Sequence, residues 1–124
     1  MGMKVLIVDD SSIMRKILQR SLGKSSALDI DSYVEATDGA DAMEKFESDG
    51  PFSLVFSDIK MPNVDGLEFL KKLGDSTHSG TPVIMVASEG GEQIVMDAIQ
   101  SGAKGFVLKP FTADQLSRAV RNLL

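Results

Sequence analysis

Val5-Leu6-Ile7-Val8-Asp9-Asp10-Ser11 is an apolar run that stops on two acids and a hydroxyl. Val5, Ile7 and Val8 are β-branched, and a short run of this composition suits a strand buried on both faces. Directly after it, Ile13, Met14, Ile17, Leu18 and Leu22 recur at helical spacing, with Ser11 or Ser12 in place as N-cap. Gly23 or Lys24-Ser25-Ser26 ends that helix.

The strand–turn–helix unit then repeats. Ser32–Ala36 is a weaker strand, and Asp38-Gly39 turns into a helix with Ala42, Met43 and Phe46 on one face. Gly50-Pro51 breaks that helix. Phe52–Ser57 is the third strand and ends at Asp58, and Met61-Pro62-Asn63 is a loop. Asp65 with Glu68 has the spacing of a capping box, Leu67, Leu70 and Leu73 form an apolar face, and Gly74 stops the helix. Val83–Ala87 is the fourth strand. Gly90-Gly91 precedes a helix carrying Ile94, Val95, Ala98 and Ile99, with Gly102 placed to end it. Gly105–Leu108 is the fifth strand. Thr112 with Gln115 opens a last helix, whose Leu116, Ala119, Val120, Leu123 and Leu124 face the core.

Strict alternation of strand and helix implies a parallel sheet with helices on both faces, because a parallel crossover needs a helix between strands. A closed barrel would need more units, so an α/β doubly wound five-stranded parallel sheet is expected. In 124 residues these units fill one domain, 1–124, with no output domain. The net charge of −5 argues against a nucleic-acid binder, and no apolar run approaches a membrane span or a signal peptide. A cytoplasmic protein with no membrane partner is expected. The absence of cysteine excludes disulfides and thiolate metal sites, and a single histidine, His78, leaves little scope for histidine-ligated metals.

In such a sheet, ligands sit at the carboxyl ends of the strands. Strand one ends in Asp9-Asp10, strand three in Asp58, strand four in Ala87-Ser88-Glu89 and strand five in Lys109. One such Asp is explained as a turn or cap residue. Three of them and a lysine on one rim are not. Clustered carboxylates repel, and an all-oxygen donor set suits Mg²⁺. One carboxylate could then act as nucleophile while the metal and Lys109 neutralise a phosphoryl group.

On these residues the chain resembles the receiver domains of two-component response regulators. The signposts are Val8-Asp9-Asp10-Ser11 with Met14-Arg15, Ala36-Thr37-Asp38-Gly39, Asp58-Ile59-Lys60-Met61-Pro62 with Asp65-Gly66, and Gly102-Ala103 with Lys109-Pro110-Phe111. The resemblance spans residues 3–124 and is strongest to single-domain chemotaxis regulators. It implies a flavodoxin-like strand order of 2-1-3-4-5. It implies that Asp58 is the phosphoacceptor for a sensor histidine kinase, and that the chain is not an enzyme beyond assisting its own phosphorylation and dephosphorylation. Mg²⁺, for which Mn²⁺ can substitute, would be held by Asp10 directly, by Asp9 largely through water, by Asp58 and by the backbone carbonyl of Lys60. Lys109 would contact the phosphoryl group, Lys109-Pro110 would be a cis peptide, and Phe106 would be the aromatic switch. The implied output is chemotactic, through a flagellar motor switch protein and with a phosphatase, from a monomer read on its helix four–strand five–helix five face. The alternative is a phosphorelay intermediate or phosphate sink.

One departure stands out. Ala87 occupies the position where the family carries Thr or Ser, and a hydroxyl comes one residue later, at Ser88. Adjacent strand side chains point to opposite faces, so Ser88 could substitute only if the strand has ended or bulged. Lys60 and Glu89 fall where the family modulates dephosphorylation, and could equally be solvated charges. Met14, Met43 and Met96 read as core filling, His78 as an exposed loop residue, and Arg15, Lys16 and Arg20 as a solvated helix face. Gly90-Gly91 could loosen the fourth helix or serve as plain turn glycines.

Three rivals share parts of this pattern. A flavin carrier needs a phosphate cradle where Asp9-Asp10 would repel one. An aspartyl phosphohydrolase commonly has a second Asp two residues after its nucleophile, where Lys60 stands. A degenerate receiver would have lost the acidic pair, Asp58 or Lys109.

Overall fold

A computed structural model describes residues 2–25, 28–88 and 90–123. The elements run β1 (Met3–Val8), α1 (Ser12–Gly23), β2 (Ile30–Ala36), α2 (Gly39–Asp49), β3 (Leu54–Asp58), α3 (Gly66–Gly74), β4 (Val83–Ala87), α4 (Glu92–Gln100), β5 (Gly105–Leu108) and α5 (Ala113–Arg121). The five strands pair in parallel in the order β2-β1-β3-β4-β5. This is the expected α/β doubly wound, flavodoxin-like sheet.

Period-two alternation sorts the strand side chains into two cores. Val5, Ile7, Leu54, Phe56, Ile84, Val86 and Val107 pack with Leu18 and Leu22 of α1 and Leu116 and Val120 of α5. Leu6, Val8, Val55, Val83, Met85 and Ala87 pack with Ala42 and Phe46 of α2, Phe69, Leu70 and Leu73 of α3, and Ala98 of α4. Both faces of the central strands are therefore covered, which is why β1 reads as an unbroken apolar run.

Helix starts follow the sequence signals. Ser11, Asp38, Asp65 and Thr112 each accept a hydrogen bond from the backbone N–H three residues on. The Thr112–Gln115 capping box is complete, whereas Asp65 and Glu68 make only the half in which Asp65 accepts. Gly102 has φ +114, the left-handed conformation that favours glycine after a helix end.

Several expectations need correction. β1 and β2 begin earlier than read, at Met3 and Ile30, and β3 begins later, at Leu54. Phe52 precedes β3 as a buried ring packed edge-on against Phe46. Ile13, Ile17, Met96 and Ile99 are exposed, because the apolar arcs of α1 and α4 are wider than the strip the sheet covers. Met96 is therefore not core filling, whereas Met14 and Met43 pack against the two cores. His78 is not an exposed loop residue: its ring lies 4.8 Å from that of Phe46, with Nε2 3.4 Å from Glu47. The expectations for Ser26, Glu89 and Leu124 fall outside the described residues. Among those described, no helix is long and apolar enough to cross a membrane.

Candidate metal and phosphoacceptor site

The parallel register brings the ends of β1, β3 and β5 to one rim. Val8 lies opposite Ser57, so Asp9 and Asp58 emerge as neighbours. One carboxylate oxygen from each of Asp9, Asp10 and Asp58 lies within 4.8 Å of the other two. Asp9 is buried, Asp58 is half-buried and Asp10 is exposed at the mouth. Lys109 reaches in from the end of β5. Its Nζ donates to Asp9 Oδ2 at 3.3 Å and to Asp58 Oδ2 at 3.2 Å. The remaining Asp9 and Asp58 oxygens accept from the Ser11 and Ile59 backbone N–H groups, both fixed by the turns just past each strand.

The electrostatics leave the pocket short of positive charge. Burial is the largest influence on Asp9 and raises its pKa. The Ser11 N–H and Lys109 pull it back down, and the Asp58 charge pushes it further up. Burial works against the Lys109 ammonium, but the charges of Asp58 and Asp9 outweigh it and hold its pKa above the ordinary lysine value. Three carboxylates meet one ammonium, a formal balance of −3 + 1 = −2. A hard divalent cation on oxygen donors matches both the deficit and the donor set.

The other predicted residues surround this centre. The Lys109-Pro110 peptide is cis. Lys60 is exposed on the loop after Asp58. Ala87 is the last residue of β4, and its side chain points to the α2–α4 face, where Phe106 also packs. Ser88 lies beyond the strand end and is exposed. Together with Asp58, Ala87, Leu67 and Ile94 it lines a cavity of about 90 Å³.

Arg15, read from sequence as part of a solvated face, belongs to the site's frame instead. Its side chain is 14% exposed. It donates from Nη1 to the Asp9 carbonyl at 2.7 Å and from Nε to Glu35 at 2.8 Å, while Lys16 holds the other Glu35 oxygen. Only the β1–β2 pairing, which sets Ile7 opposite Glu35, brings that anion under α1.

A family model for the response regulator receiver domain matches residues 5–121. The chain belongs to the response regulator receiver domain family. It is 36% identical to the chemotaxis protein CheY1 of Helicobacter pylori over 123 residues, covering 98% of this chain and 97% of that protein. To the chemotaxis protein CheY of Bacillus subtilis it is 38% identical over 124 residues, covering 100% and 99% of the two chains. Among solved structures it resembles Vibrio cholerae CheY4, with TM-score 0.87, 29% identity and full coverage of both chains. It also resembles a CheX–CheY complex of Borrelia burgdorferi with BeF3 and Mg²⁺, with TM-score 0.85 and 33% identity over 98% of this chain and 88% of that one. The receiver is a CheY-like chemotaxis response regulator, a phosphoacceptor rather than a turnover enzyme.

Proposed function

We propose that Asp58 accepts a phosphoryl group from the phosphohistidine of a sensor kinase and that Asp9, Asp10, Asp58 and the Lys60 carbonyl hold Mg²⁺, or Mn²⁺, for the transfer. The carrying observation is the three-carboxylate cluster with Lys109 bridging Asp9 and Asp58. An Asp58 carboxylate oxygen forms a bond to phosphorus as the phosphorus–nitrogen bond breaks. The donor histidine, protonated on its other ring nitrogen, leaves as neutral imidazole. Bound metal supplies charge neutralisation on the phosphoryl oxygens. The Ile59 N–H fixes the Asp58 carboxylate, and the Lys109 ammonium is placed to exchange a carboxylate partner for a phosphoryl oxygen.

Output then leaves through the α4–β5–α5 face. Met96, Ile99 and Leu108 are exposed there, beside a groove of about 760 Å³ lined by Val95, Phe106 and Arg118 among others. A flagellar motor switch protein is the expected reader. The Borrelia relative in complex with CheX supports a phosphatase as a further partner. Lys60, two residues after the acceptor, slows hydrolysis of the acyl phosphate, and equal dephosphorylation rates in Lys60→Ala and wild type would remove that role. The second reading, a relay intermediate or phosphate sink, is favoured by Ala87: with no hydroxyl there, Asp58 phosphorylation has a weaker hold on Phe106.

Acetyl-phosphate labelling with Mg²⁺, followed by mass spectrometry, tests the assignment. Wild type should gain one phosphoryl group and Asp58→Asn none. An adduct that survives the substitution overturns Asp58.

A further inference from the structure

The loop from Ile59 to Asp65 is an arch that carries the Lys60 carbonyl, and its two feet are held differently. The outgoing foot is tied by the Gly66 N–H, which donates to the Ile59 carbonyl at 2.7 Å. No side chain fits between the two: a Cβ on Gly66 would lie 2.2 Å from the Asp58 carbonyl oxygen. The returning foot is tied to the start of α2. Gly39 N–H donates to the Val64 carbonyl at 2.9 Å, and a Cβ on Gly39 would lie 2.5 Å from Val64 Cγ1. Beside it, Asn63 Nδ2 donates to Asp38 Oδ2 at 3.0 Å.

Asp38 is well placed to hold that foot. It is 8% exposed, and its other oxygen accepts from the Asp41 N–H at 2.8 Å. Asp41 in turn accepts from the Thr37 N–H at 2.9 Å, so the helix start is locked from both sides. Asn63 has φ +65, a left-handed conformation that an asparagine tolerates better than most side chains. The Asp38–Asn63 bond holds it across 25 residues of chain. Between the feet, Met61 packs on the core and Lys60 is exposed.

We propose that Asp38 and Asn63 are positioning residues for the metal centre: their hydrogen bond fixes the returning foot of the 59–65 arch and thereby the direction of the Lys60 carbonyl. This rests on that carbonyl being a metal ligand. Outer partners that orient ligands typically change metal affinity 10–100-fold, and a bond that shares the arch with other anchors should lie at the low end, roughly tenfold.

The test is Mn²⁺ binding to the full chain, followed by electron paramagnetic resonance, with thermal melts in parallel. Asp38→Ser keeps a cap oxygen for the Asp41 N–H but has none left for Asn63. Asn63→Gly removes the amide and suits the left-handed backbone. Both should weaken Mn²⁺ roughly tenfold, and the double variant should be no weaker than either, because they remove the same bond. Asp38→Asn can make both bonds if the Asn63 amide turns over, and should bind as wild type does. A purely structural role would lower melting temperatures and leave Mn²⁺ affinity unchanged, which would overturn the proposal. Asp10→Asn is the control. If it binds Mn²⁺ as wild type does, the metal reading itself fails and the proposal with it. If it loses binding while Asp38→Ser and Asn63→Gly do not, only the positioning role fails.

Discussion

Replacing Asp9 with Asn should stabilise the metal-free receiver and abolish most of its response to metal. Asp9 is buried among like charges, with carboxylate oxygens of Asp10 and Asp58 within 4.8 Å. At the 4.8 Å limit the repulsion from Asp58 is about 3.5 kcal/mol at an effective dielectric of 20, and that from Asp10 is smaller. The attraction to Lys109 at 3.3 Å is about 5 kcal/mol on the same basis. Asp10 is exposed, so solvent cuts its share, while burial of Asp9 adds a desolvation cost. The Ser11 N–H bond survives in the variant, because an amide oxygen accepts it as well. A net gain of about 1–2 kcal/mol follows, or roughly 4–8 °C in a domain of this size. The raised Asp9 pKa has the same sign. The unfolded carboxyl ionises first, so the penalty is absent below pH 3.8, grows as pH rises towards the folded pKa, and is complete above it. The assay is a circular-dichroism melt at neutral pH in EDTA, repeated with Mg²⁺ at about ten times its Kd. Wild type should then gain about 1.4 kcal/mol and the variant little, which narrows or reverses their order. A variant that melts below wild type in EDTA, or that gains as much from Mg²⁺, would refute the reasoning.

Ala87→Thr restores a hydroxyl beside Asp58 and should raise the ratio of partner affinities with and without phosphorylation by roughly fivefold; an unchanged ratio would leave Ala87 without a role in switching. The Glu35 carboxyl is held below its ordinary value, first by the Lys16 hydrogen bond against an opposing effect of burial, then by Arg15. Its stabilising contribution is therefore complete above pH 4.5 and is lost as pH falls through the folded pKa, so Glu35→Gln should flatten the acid limb of the stability curve in melts across that range. Gly66→Ala forces a Cβ to 2.2 Å from the Asp58 carbonyl oxygen, and should cost about 2 kcal/mol or more in denaturant titration and slow acetyl-phosphate labelling.

Much of this was legible from residue order. The β1 run, the caps at Ser11, Asp65 and Thr112, and Gly102 are local signals, and they operate locally in the fold. Asp9, Asp10, Asp58 and Lys109 could be grouped because every strand of a parallel sheet ends on the same rim. The role of Arg15 is hidden for the complementary reason. Its partners are a backbone carbonyl and an anion 20 residues along the chain, and nothing in Asp9–Lys16 signals either. Ile13 and Met14 are adjacent and equally apolar, yet Met14 packs on the core while Ile13 is 72% exposed.

Residue order alone carries the alternation of strand and helix, the acid-rich rim and the absence of a hydroxyl at position 87. These depend on residue type and on spacing within a few residues. Tertiary structure alone decided that β4 stops at Ala87 and leaves Ser88 outside it, that Lys109 bridges Asp9 and Asp58, and that Asp38 reaches Asn63. Those outcomes depend on strand register and on the packing of distant elements. A hydrogen bond requires placement to within a few tenths of an ångström, and residue order does not carry distances.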